Sequence, residues 1–507
     1  MSLNALRILS LSAMLGGSVF GADSRLADAV QRGDKVAVRS LIADRANINV
    51  AQIDGTTALH WAVRQDDLAT ADLLIKAGAD VKAANRYGLT PIQLAATNGN
   101  TAMIEKLLAA KVDPNFANPG GETVLMTASR TGNLDAIPLL LARGANVNAK
   151  EFERGQTALM WAVLENHADA VKLLLARGAD INAKTTARTI KGEYTPARAA
   201  GAAGPGIIRQ RALPTADGGM TALLFAVRDG NMPMTRLLLD SGADVQLASA
   251  NDTSPLIIAI LNGQTELASY LLNRGANPNA IDAYKRGPLF AAIELRNFNH
   301  EKYSDLPTDG RDPLDLIKAL LAKGANPNQQ TSTTPVHGLM QFDGSWVNFD
   351  GQTPLIRAAL SGDAEVMKLL LQYKADAKIT TDGGTTSLMA AAGINWIPAQ
   401  TYMHSEEEYV EAVNLCLAQG VDVNAANSMG LTAMHGAANR GWESIVQILA
   451  DHGSKLDPKD KEGRTPMIFA QGIFLAIKPP EPKPKAMALL NKLMGTGHKE
   501  AQEAQKK

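Results

Sequence analysis

The residues best able to do chemistry lie in "PVHGLMQFDGSW", where His337, Asp343 and Ser345 fall within nine residues. A hydrolase of that kind needs the three groups to converge beside an oxyanion hole. No G-x-S-x-G elbow surrounds Ser345, and nearness along the chain is not convergence in space. In "HSEEEY", His404 to Tyr409, one histidine stands beside three acids. That pattern lacks the ligand spacing of a closed metal site and fits the acid-rich first turn of a helix. "GAAGPG", Gly201 to Gly206, has no lysine of the phosphate-loop type. Cys416 is the single cysteine, so no internal disulfide forms. It occupies a position where sister segments carry leucine, and reads as a small buried hydrophobe. No catalytic residue, metal or cofactor is assigned; an enzyme built from inserted loops is kept as an alternative.

The elements that must position any site are set by repetition. "TALMWAVLENHADAVKLLLARGADINAK" from Thr157 repeats the apolar skeleton of "TALHWAVRQDDLATADLLIKAGADVKAA" from Thr57. Variants of the opening quartet recur at 57, 90, 123, 157, 221, 254, 287, 353, 386, 432 and 465, a period of 33 interrupted three times. The 507 residues are 46% apolar and 20% charged, with a net charge of −1. That balance suits a soluble chain with a large core and argues against nucleic acid as the main partner.

Each unit has a physical reading. A glycine such as Gly55 or Gly88 frees the turn before the threonine, and the threonine caps the helix that follows. Leu59, Ala62 and Val63 form an apolar stripe at helical spacing, and a second helix carries Leu73, Leu74 and Ile75 before Gly78 ends it. Two short antiparallel helices cannot bury both faces alone, so the units must stack.

The period, the TPLH-like openings and the "LLL-x-x-GAD-x-NA" closings resemble the ankyrin repeat family, here in a bacterial-type, exported form. The resemblance covers about 24–495. It implies an all-α repeat solenoid of about twelve helix-loop-helix units with finger loops. It also implies that the concave surface, made of fingers and first helices, binds other proteins. Arg64, Tyr87, Arg130, Glu165, Arg228 and Asp229 match the variable contact positions of such binders. Histidine keeps the fourth quartet position only at His60 and His435. Asp252, Lys285 and Lys374 stand where the pattern has glycine, and local distortion is expected there.

Four insertions break the period. After a capping repeat (24–51) and repeats over 52–186 comes a Gly/Pro/Ala-rich insert at 187–216. It holds Arg188, Lys191, Arg198, Arg209 and Arg211 against Glu193 alone. Two readings stand: a solvated spacer without a fold of its own, or a basic arm for an acidic partner through Arg209 and Arg211. Repeats over 217–332 carry an insert at 297–312, a finger insert follows at 333–349, and repeats over 350–461 carry an insert at 394–406. These inserts are aromatic (Tyr303, Phe342, Trp346, Phe349, Trp396, Tyr402), with Trp346 and Trp396 taken as contact residues. Folding back over the repeat flank is the other reading. A closing repeat with a Pro-rich break spans 462–497, and the polar tail 498–507 is expected to be disordered.

The reading is therefore a non-catalytic interaction scaffold, with an inhibitor or immunity-type binder of a toxic or periplasmic enzyme as the alternative. The first residues add a location. Arg7 is the one charge before Asp23, and 8–20 is apolar or small. This has the form of a secretory signal with a cut after Gly21, and gives an exported, periplasmic or secreted protein without a transmembrane segment. N-terminal sequencing of the mature protein should then begin at Ala22; recovery of Met1 or Ser2 would overturn the export reading.

Overall fold

The computed structural model describes residues 24–190, 215–297, 309–332, 347, 350–395, 404–473 and 480–504. They form two compact units, one ending at Asp180 and one beginning at Ile181. Both are built from paired helices, and no helix among the described residues is long and apolar enough to cross a membrane.

In the first unit, the helices Ala58–Arg64 and Leu68–Lys76 show how the repeat forms. The Thr57 hydroxyl accepts the His60 amide and caps the first helix, while the Asp67 carboxylate accepts the Thr70 amide and caps the second. Ala58, Leu59, Ala62 and Val63 of the first helix and Ala71 and Leu74 of the second are buried. Alanine at 58, 62 and 71 lets neighbouring backbones approach. The core runs between the helix layers, and each first helix packs on its neighbours as well as on its partner.

Successive repeats are also stapled by polar groups. Asn49 donates its side-chain amide to the Gly78 carbonyl and accepts the Asp80 amide. Asn115 does the same with Gly144 and Asn146, and Asn148 with Gly178 and Asp180. In the second unit Gln246, Asn279, Asn328 and Asn424 repeat the pattern, reaching Gly275, Gly324, Lys374 and Gly453. The staple satisfies carbonyls that a helix C-terminus leaves open. Fingertips are joined by single backbone bonds, such as Arg86 N–H to Asp54 O at 2.7 Å and Phe152 N–H to Gly120 O at 2.8 Å. Pro119 has no N–H to give, and its ring instead covers Gly88, where a Cβ would lie 2.4 Å from it.

Insertions leave the finger bases unchanged. Gln52 N–H closes its finger on Thr56 O, four residues on; Thr185 N–H closes on Met220 O and Thr331 N–H on Gln352 O in the same way. The 187–216 insert, expected to lack structure of its own, pairs at its ends: Arg188–Ile190 and Thr215–Asp217 form an antiparallel ribbon. β-branched Thr189, Ile190 and Thr215 suit strands, and the closed base sets the register. The polar tail is a second correction. The last helix runs Pro484–Ala504, because Lys, Glu, Ala and Gln beyond Gly497 favour helix. Nor do the glycine replacements distort their turns: Asp252, Lys285 and Lys374 take φ of 60°, 56° and 66° and keep the left-handed geometry.

The other two inserts leave the second unit at buried asparagines, Asn297 and Asn395. Asn297, fully buried, gives its side-chain amide to Asp363 and to Ile293 O and offers its own carbonyl to the buried Arg357. Arg296 beside it ion-pairs with Asp312, Asp363 and Glu365. Glu406, Glu407 and Glu408 lie in the first turn of Glu406–Ala418, and Tyr409 of that helix lies over Gly362.

His60 and His435 join neighbouring repeats. The His60 Nδ1 accepts the Thr57 amide and its Nε2 meets the Leu89 carbonyl at 3.0 Å, an arrangement that assigns the neutral Nε2–H tautomer. His435 makes the same pair with Thr432 and Arg464. Burial pushes both rings below the usual imidazole range. Gln93 stands in for them in the next repeat, accepting from Thr90 N–H and donating to Glu122 O.

Two predictions follow from these contacts. Leu174→Ala removes a fully buried side chain and should cost about 2–5 kcal/mol, Asn148→Ala about 1–2 kcal/mol, and Arg228→Ala under about 1 kcal/mol by urea unfolding. Equal losses at Leu174 and Arg228 would contradict the assigned faces. The second concerns pH. A histidine depressed in the folded state contributes full stability above its unfolded pKa, about 6.5, and loses it as pH falls toward the folded value. The urea midpoint should fall between pH 7.5 and 5.5. His60→Gln with His435→Gln should keep the pH 7.5 midpoint and flatten that fall; an unchanged slope would refute it.

Candidate protein-binding surface

Over the six repeats that open at Thr57 to Ser254, first helices turn a register that differs between repeats toward solvent; in the next four that register, Glu294, Leu360, Gly393 and Asn439, is buried. The position of Leu59 is held by Ile92, Leu125, Leu159, Leu223 and Leu256, all buried. Five residues on, Arg64, Thr97, Arg130, Leu164, Arg228 and Leu261 are exposed or half-buried. A helix that packs on both neighbours through one stripe leaves this register free to vary.

In the first unit Arg64 closes its helix with the guanidinium 5.3 Å from the centre of the Trp61 ring. The Trp61 indole N–H donates to Gln52 Oε1 on the finger at 2.9 Å. Tyr87 stands on a fingertip, 71% exposed. Arg130 lies 5.6 Å from the Trp161 ring of the following repeat and pairs with Glu122 at 3.5 Å. Glu165 is the exposed C-cap of Ala158–Leu164.

In the second unit Arg228 and Asp229 form an exposed pair at 2.8 Å, and Arg228 also leans on the Phe225 ring at 5.1 Å. Arg228 borders a groove of about 340 Å³ floored by Met220, Ile258 and Leu261 and edged by Ser249 and Asn251. The ribbon residue Asp217, where the basic insert rejoins the stack, lies on the same groove.

Sequence reasoning named the arginines and missed the rings beneath them. Trp61 and Phe225 lie three residues before Arg64 and Arg228, a spacing that places them on one helix face and was available as a signal. It also missed two exposed fingertip residues, Ile53 and Phe152. Arg209, Arg211, Trp346 and Trp396 lie outside the described residues, as do His337, Asp343 and Ser345. Cys416 is fully buried, and burial pushes its thiol up to about 12, so it supplies no thiolate near neutral pH.

The family model for ankyrin repeats (3 copies) matches residues 26–118, 94–185, 204–300, 309–396 and 402–474. Ankyrin repeat and KH domain-containing protein 1 of Homo sapiens is 34% identical over 116 residues, 22% of this chain and 4% of that protein. Ankyrin repeat and SOCS box protein 16 of Homo sapiens is 28% identical over 174 residues, 31% of this chain and 37% of that protein. The chain thus spans well under half the length of these relatives. The crystal structure of the ankyrin repeat domain of Bcl-3 is similar over 52% of this chain and 99% of that one, at 24% identity and a TM-score of 0.39.

Proposed function

The chain belongs to the ankyrin repeat family, and from that premise we propose that it is a non-catalytic scaffold that binds a partner protein through fingers, first helices and inserted loops. One observation carries this reading: buried positions are nearly constant between repeats, while residues that differ stand on the finger side. Over the six repeats that open at Thr57 to Ser254, Leu59 and its counterparts are committed to stacking, whereas the register of Arg64 bears Arg, Thr or Leu. Arginine on an aromatic ring and an exposed tyrosine are the side chains that dominate protein interfaces. The same proposal places the protein outside the cytoplasm, on the strength of the apolar segment before Gly21. It gives the basic insert, through Arg209 and Arg211, a share in recognising an acidic patch.

Site-directed photo-crosslinking tests the reading. A crosslinker at Tyr87, Arg130 or Arg228 should capture a partner that, once purified, rebinds the chain. The same group at Lys172, on a second helix, should not capture it. Alanine at Tyr87 and Arg130 together should weaken rebinding by about 2 kcal/mol or more. Capture from Lys172 alone, or rebinding indifferent to all these residues, would refute the scaffold surface.

A further inference from the structure

The inner face of the first unit carries more hydrogen-bond donors than the chain itself satisfies. Among the described residues Arg64 meets no carboxylate at ion-pair distance; its contact is the face of Trp61. Arg130 gives one contact to Glu122 and otherwise lies over Trp161. The Trp161 indole N–H is buried without an acceptor. Its counterpart at Trp61 is taken by Gln52, nine residues earlier. Nine residues before Trp161 stands Phe152, which has no acceptor to offer. The adjacent Glu151 carboxylate is already occupied by the amides of Glu153, Arg154 and Gln156. Arginine and tryptophan side chains donate and cannot accept, and the Trp161 N–H is closed to solvent, so an outside oxygen reaches it only when a side chain over the ring, such as Arg130, moves aside.

We propose that this face, with Arg64 on Trp61, Arg130 on Trp161 and the exposed rings of Tyr87 and Phe152 at the fingertips, binds an extended acidic segment of the partner protein. The inference rests on the scaffold reading and adds the chemistry of the partner. Carboxylates meet the two guanidinium groups, an oxygen of the segment meets the Trp161 N–H once Arg130 has swung from the ring onto its carboxylate, and apolar side chains lie on Tyr87 and Phe152. Arg64 and Arg130 are two repeats apart, about 20 Å at about 10 Å per repeat, which some six extended residues span at about 3.3 Å each. Single-stranded nucleic acid also stacks on aromatic rings between arginines. Glu122, Glu153 and Glu165 on the same side oppose its unbroken phosphate charge, whereas a peptide can set its acids opposite the two arginines.

The test uses the full chain and a library of displayed twelve-residue peptides, with an oligouridylate strand as the competing probe. Selected peptides should be enriched in Asp and Glu. Arg64→Gln with Arg130→Gln should weaken the best of them at least about tenfold. Trp161→Phe, which keeps the ring and removes the orphan donor, should weaken it several-fold while the melting temperature stays or rises. Peptides that map to this face of the first unit but carry no acids, or acidic peptides indifferent to these substitutions, would overturn the inference and leave the scaffold reading standing. Oligouridylate binding tighter than any peptide would overturn it in favour of nucleic acid. Selection of no peptide at this face would count against both readings.

Discussion

No repeat in this chain can bury its own two helices, and the rest of the structure follows from that constraint. Seven-residue helices such as Ala58–Arg64 are too short to be stable alone. Their apolar stripe finds cover only on the next repeat, which fixes leucine, alanine and valine at the inner positions. It also explains why so much polar chemistry goes into joining repeats. Asn49 and Asn148 fasten loop to helix end, His60 and His435 fasten helix to finger, and backbone bonds fasten fingertip to fingertip. Each satisfies a group that stacking would otherwise bury unpaired.

The division between buried skeleton and free surface also bears on chemistry. The most reactive side chain in the sequence, the Cys416 thiol, is spent as packing. The buried Arg357 and the half-buried Arg296 are tied to Asn297, Asp363 and Ser361 where two inserts leave the stack. Their geometry holds loops in place. Among the described residues Arg64 and Arg130 of the first unit and Arg228 of the second stand at the surface against aromatic rings.

Much of this was legible in the sequence because the pattern is local. A threonine before an apolar stripe with small residues specifies a capped helix with one buried face, and eleven variants of that opening, nine of them beginning with threonine, specify stacking. The features missed depend on partners far along the chain. Nothing near Asn148 reveals that its amide reaches Gly178, thirty residues on. The ribbon of Arg188–Ile190 requires Thr215–Asp217, across the whole basic insert. Of the candidate surface, the arginines were found from their repeat register. The Trp161 ring under Arg130 belongs to the next repeat, so no spacing within one unit could show it.

The unchanged finger base has a consequence for how such a chain can diversify. Closing Thr185 on Met220 joins residues 35 apart by the hydrogen bond that elsewhere joins residues four apart. For a flexible loop that difference costs only about 2 kcal/mol of chain entropy, and further lengthening costs still less per residue. The fingertip therefore behaves as a socket. New chain can be spliced in there, lengthened or recoded without touching a stacking residue, so the solenoid can acquire new specificities one loop at a time.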